Sequence, residues 1–79
     1  MVICGEQIRA ARSLLGWTQA NLARKANVGL MTIKRLEGTS GEVRGTVESL
    51  VRVQNALEQA GIMFLAKNTE GGVGVRLRD

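Results

Sequence analysis

The chain has 79 residues, 44% hydrophobic and 23% charged, with a formal net charge of +4. That length allows one small domain, and the composition is globular rather than disordered. Histidine is absent and Cys4 is the single cysteine, which removes the usual general base, the commonest metal ligand and any disulfide framework. No catalytic residue, metal or cofactor is therefore expected, and Cys4 reads as a small half-buried side chain in a reducing cytoplasm. The longest apolar run, residues 60–66, is too short for a membrane helix, and the N-terminus lacks the pattern of a secretory signal. Residues 1–45 hold seven basic groups against three acids, whereas residues 46–79 hold four of each. A basic half joined to a neutral half suggests one face that meets a polyanion.

Residues 6–15, EQIRAARSLL, set Ile8, Ala11 and Leu15 at helical spacing, with Glu6 in the first turn and Gly16 as the stop. Trp17 is expected to pack under the junction that follows. Thr18 has the chemistry of an N-cap for a second helix over 19–26, with Leu22 and Ala26 inward and Ala23 small enough for a close helix crossing. Asn27 then turns the chain, since asparagine takes positive φ more easily than any residue but glycine. Val28 plugs the turn and Gly29 starts a third helix, which buries Ile33 and Leu36 and ends near Glu37 and Gly38. Residues 38–45 hold three glycines and read as a loop. A fourth helix over 46–60, capped by Thr46 and closed by Gly61, is expected to bury Val47, Leu50, Val51, Leu57 and Ala60. Beyond it, IMFLAK, NTEGG and VGVRLR read as strand, turn and strand, with Val73, Val75 and Leu77 alternating with Gly74 and Arg76.

Gln19, Ala23, Asn27, Val28, Ile33 and Leu36 stand at spacings that resemble the helix-turn-helix of the Xre/Cro family of DNA-binding regulators, the lambda and 434 repressor fold. A preceding helix that ends LLGWTQ adds to the likeness, which covers about residues 6–60. The resemblance implies a mainly α fold: a compact four-helix bundle containing a helix-turn-helix, to which this chain adds a short C-terminal β-hairpin. The division expected is a DNA-binding domain over 1–61 and a hairpin over 62–79. The implied function is a cytoplasmic transcriptional regulator that binds double-stranded DNA as a homodimer.

With Leu22, Ala26, Val28, Ile33 and Leu36 inward, the third helix turns Gly29, Leu30, Met31, Lys34 and Arg35 outward, with Thr32 beside them. That face suits a major groove. Leu30 or Met31 can meet thymine methyl groups, Arg35 can donate twice to guanine, and Lys34 can reach a base or a phosphate. Thr18 and Gln19 at the start of the second helix, and Arg44 in the loop, are the expected backbone contacts. The family often carries Ser, Thr or Gln where this chain has Gly29, Leu30 and Met31, which points to low specificity or to a readout of DNA shape.

Arg12 sits on the row of Ile8, beside Ala11 and Leu15, an unusual place for a charge. The resemblance implies an ion pair between Arg12 and Glu37. In the hairpin, Ile62, Met63, Phe64 and Leu65 are apolar at both parities. The helical core covers one face of that strand, and a second chain is expected to cover the second face or the strand edge, the alternative being a hairpin that only packs locally. The competing function is a protein-interaction module of the same fold, such as an antitoxin that neutralises an unidentified partner protein. No toxin-wrapping tail is expected after the hairpin, which favours the regulator.

Overall fold

Each helix in the computed structural model, which describes residues 3–38 and 46–79, begins and ends on recognisable local chemistry. α1 (Gly5–Leu15) starts after Cys4, whose N–H donates to the Gln7 side-chain carbonyl at 3.0 Å. It stops at Gly16, whose φ of +68° suits glycine, and the Trp17 N–H closes back onto the Arg12 carbonyl at 2.9 Å. α2 (Gln19–Ala26) opens with a reciprocal box. The Asn21 N–H donates to the Thr18 hydroxyl, and the Thr18 N–H donates to the Asn21 side-chain oxygen, both at 3.0 Å. Asn27 ends α2 at φ +56°, and the Val28 N–H bonds the Ala23 carbonyl. α3 (Leu30–Glu37) follows Gly29, which caps it without a side chain. α4 (Val47–Gln59) is capped by Thr46, whose hydroxyl accepts from the Ser49 N–H at 3.0 Å.

Gly61, at φ +104°, turns the chain out of α4 into β1 (Ile62–Leu65). β1 pairs antiparallel with β2 (Gly74–Leu77), and Ile62 stands opposite Leu77, Phe64 opposite Val75. The tip is held by Asn68, whose side-chain oxygen accepts from the N–H groups of Glu70 and Gly71. The architecture is thus four helices and a C-terminal hairpin. Among the described residues no helix is long and apolar enough to cross a membrane.

One core joins all of this. Ile8 and Ala11 of α1, Leu22 and Ala26 of α2, Ile33 and Leu36 of α3, and Val53 and Leu57 of α4 are buried with Ile3 and Ile62. Trp17, Leu15 and Val28 pack partly against it. On α4 the expected stripe is corrected. Val47 and Val51 are 77% and 48% exposed, while Val53 is fully buried. Leu50, Val53 and Leu57 form the inward row, and Val51 lies about 100° around the helix from Leu50, on the side away from Val53. The second strand is likewise shorter than the VGVRLR pattern suggests. Val73 precedes β2 and is exposed, and Leu77 is also largely exposed.

The hairpin is fastened by a side chain that the pattern did not mark. Gln7 is buried, and its amide donates to the Leu65 carbonyl at 3.2 Å and the Gly74 carbonyl at 3.0 Å. One residue of α1 thereby bridges both strands of the hairpin.

Candidate nucleic-acid interface

α2 and α3 are joined by Asn27, Val28 and Gly29 alone. Such a short connection fixes the angle between the helices, and the half-buried Val28 plugs the inner side of the turn. Ile33 and Leu36 of α3 face the core and have no exposed surface. The opposite side of α3 is open. Leu30 is 41% and Met31 62% exposed, Gly29, Lys34 and Arg35 are exposed, and Thr32 is half-buried. The rows 30/34 and 31/35 each run one turn along that surface. It therefore presents two apolar side chains near the helix start and two cations near its end. No ion pair among the described residues engages Lys34 or Arg35.

The inner end of α3 is clamped at Glu37. Its carboxylate is only 3% exposed. Arg12 meets it with two parallel hydrogen bonds, Nε to Oε2 at 2.7 Å and Nη2 to Oε1 at 2.8 Å. Arg12 also donates from Nη1 to the Trp17 carbonyl at 3.0 Å. Hydrogen bonding to the Glu37 carboxylate is the main force raising the Arg12 guanidinium above its ordinary pKa; partial burial opposes this, and the charge of Glu37 adds to it. Arg9 donates to the Glu37 backbone carbonyl. The end of α3 is thus held by two arginines of α1.

Gln19, expected at the DNA backbone, is half-buried at the start of α2. Its amide donates to Glu37 Oε1 at 3.1 Å and is turned inward, toward the clamp. Thr18 is exposed at the start of α2, and its hydroxyl already accepts from Asn21. Arg44 lies outside the described residues. Of the expected set, the α3 residues share one surface, Arg12 joins Glu37 in the clamp beneath it, and Gln19 belongs to the clamp.

Two basic residues contribute to this region without having been singled out. Arg9 is the first. Arg52 of α4 is the second: it donates to the Asn27 carbonyl at 3.2 Å and pairs with Glu48 at 2.9 Å. Asn27, Gly29, Thr32, Thr46 and Ser49 line a shallow cleft with Arg52 beside the starts of α3 and α4. The one sequence signal for Arg52 was its i,i+4 spacing from Glu48. A scan of protein-family models finds no match to the chain, and a search of curated proteins finds none either.

Proposed function

We propose that the chain is a transcriptional regulator that binds duplex DNA by laying α3 in the major groove. The observation that carries this reading is the division of α3 into a fastened inner side and an exposed outer side with Leu30, Met31, Lys34 and Arg35. A helix about 10–12 Å across fits a groove about 12 Å wide. Arg35 reads guanine, Lys34 takes a base or phosphate, and Leu30, Met31 and the Thr32 methyl meet thymine methyl groups. Gly29 lets the helix start approach closely. At the start of α2, Thr18 and the backbone N–H groups of Gln19 and Ala20 face a phosphate. Arg44 is the loop cation proposed for a further phosphate. The reading assigns no catalytic chemistry and no cofactor, and a cytoplasmic site of action suits the lone Cys4.

Selection from random duplex DNA followed by fluorescence anisotropy tests it. Arg35→Ala should cost about 1–3 kcal/mol and relax preference at one base pair. A Leu30, Lys34, Arg35 triple substitution that binds DNA as well as the parent would overturn the groove assignment. The exposed apolar pair Leu30 and Met31 supports a second reading, a surface for a partner protein. Salt separates the two, because binding through several phosphates weakens steeply with ionic strength and an apolar contact does not.

A further inference from the structure

β1 and β2 form a two-stranded sheet. Among the described residues no third strand joins it, so each outer edge presents backbone groups that the hairpin itself does not pair. The register decides which groups those are. The Arg78 N–H donates to the Gly61 carbonyl at 2.8 Å, which extends the Ile62–Leu77 pairing by one step. Hydrogen-bonded and non-hydrogen-bonded pairs alternate along an antiparallel ladder. Met63–Arg76 and Leu65–Gly74 are therefore hydrogen-bonded pairs. The Gln7 amide agrees, since it reaches both the Leu65 and the Gly74 carbonyl, and so both point into the hairpin. This leaves the N–H and C=O of Ile62 and Phe64 directed off the β1 edge. Those of Val75 and Leu77 are directed off the β2 edge.

The two edges are not equivalent. A two-fold axis that pairs Ile62 with the partner's Phe64 passes through Met63, which then faces its own copy. The same operation on β2 sets Arg76 against its own copy. Like charges directly opposed destabilise a sheet, and an edge charge is a common guard against pairing. β2 carries Arg76, while residues 61–66, GIMFLA, carry no charge. α1 packs against β2, whereas β1 meets the end of α4 that leads into it. An open groove beside β1 is lined by Ile62, Met63 and Phe64, with Glu58 and Arg78. Its acid and its base balance, so two identical copies meet there without net repulsion.

We propose that the chain forms a dimer by pairing β1 with β1 of a second copy, antiparallel about a two-fold at Met63, so that the two hairpins become one four-stranded sheet. The contact is isologous and closes on itself. It uses no element of the DNA-reading face, and its tests use no DNA, so it stands or falls apart from the proposed function.

Amide hydrogen exchange on the unmodified chain is the first test. Between low micromolar and near-millimolar concentration, the Ile62 and Phe64 amides should gain at least about tenfold protection while Val75 and Leu77 keep their rates. Met63→Lys places two ammonium groups across the axis and should raise the dimer dissociation constant by about tenfold or more, with the circular dichroism spectrum retained. Met63→Cys on a Cys4→Ser background should oxidise to a covalent dimer, because Cα atoms of such a non-hydrogen-bonded pair lie about 4.5 Å apart. Arg76→Cys on that background should stay unlinked. Protection gained at Val75 and Leu77 instead, a monomer at near-millimolar concentration, or a dimer indifferent to Met63→Lys would each overturn the proposal.

Discussion

Replacing Arg12 with methionine keeps most of the apolar length of the side chain and removes its charge. Glu37 then holds a carboxylate in a site 3% exposed. The bonds at 2.7 and 2.8 Å are gone, and among the described residues the Gln19 amide at 3.1 Å is the side-chain donor left to it. A buried charge stripped of its partner costs about 3–5 kcal/mol. A domain of this size holds roughly 4–12 kcal/mol in total, at about 0.05–0.15 kcal/mol per residue. The substitution therefore removes a large share of the stability. Urea denaturation followed by Trp17 fluorescence and helical circular dichroism would read this directly. With a urea slope of about 1 kcal/mol per molar for a small domain, the midpoint should fall by about 3–5 M. Thermal melting should drop by at least about 12 °C. The double variant Arg12→Met, Glu37→Leu removes both charges and should recover most of the loss, leaving a coupling of about 2–4 kcal/mol in the mutant cycle. Two results would refute the reasoning. One is Arg12→Met within about 0.5 kcal/mol of the parent, which would mean that water reaches the carboxylate. The other is strict additivity of the two single losses, which would mean that the groups do not act as a pair.

Gln7→Leu should cost about 1–3 kcal/mol by removing the two hydrogen bonds that tie α1 to the Leu65 and Gly74 carbonyls, and exchange measurements should show β2 amides opening before those of α2. Asn27→Gly should be tolerated within a few tenths of a kcal/mol, whereas Asn27→Ala should cost about 1 kcal/mol in the same urea assay, because φ there is +56°. Val51→Ser should stay within about 0.5 kcal/mol of the parent, while Val53→Ala, on the opposite side of α4, should cost about 2 kcal/mol by opening a cavity. Stability contributed by the Arg12 guanidinium, whose pKa is raised, is fully present below the ordinary arginine value and is lost only as pH climbs through the raised one. The chain has no histidine, so urea midpoints should be flat between about pH 5.5 and 7.

The helix ends were legible because their chemistry is local. Thr18, Asn27 and Thr46 act on backbone groups within four residues of themselves, and no distant contact is needed to read them. The inward row of α4 was less so. Val47, Val51 and Val53 are the same residue type at overlapping helical spacings, and only the neighbouring helices decide which of them is covered. Gln7 was out of reach for a related reason: its carbonyl partners lie 58 and 67 residues along the chain. The outer side of α3 could be read by subtraction, once Ile33 and Leu36 were assigned inward. Gln19 shows where subtraction stops. An amide at a helix start has the same chemistry whether it turns to a phosphate or to Glu37, and the difference depends on an arginine of another helix.

The clamp on Glu37 has a consequence for how such a chain changes over generations. Among the described residues the pose of α3 rests on Val28 in the turn, on Ile33, Leu36 and Glu37, and on the two arginines of α1. Lys34 and Arg35 are neighbours of these residues in the chain, yet among the described residues their side chains make no ion pair. Mutational freedom and mutational constraint are therefore interleaved along a single eight-residue helix, separated by rotation about its axis rather than by distance. A handful of substitutions at positions 30, 31, 34 and 35 can rewrite what the surface contacts without loosening the mount. A single change at Glu37 would leave that surface intact and loosen its mount.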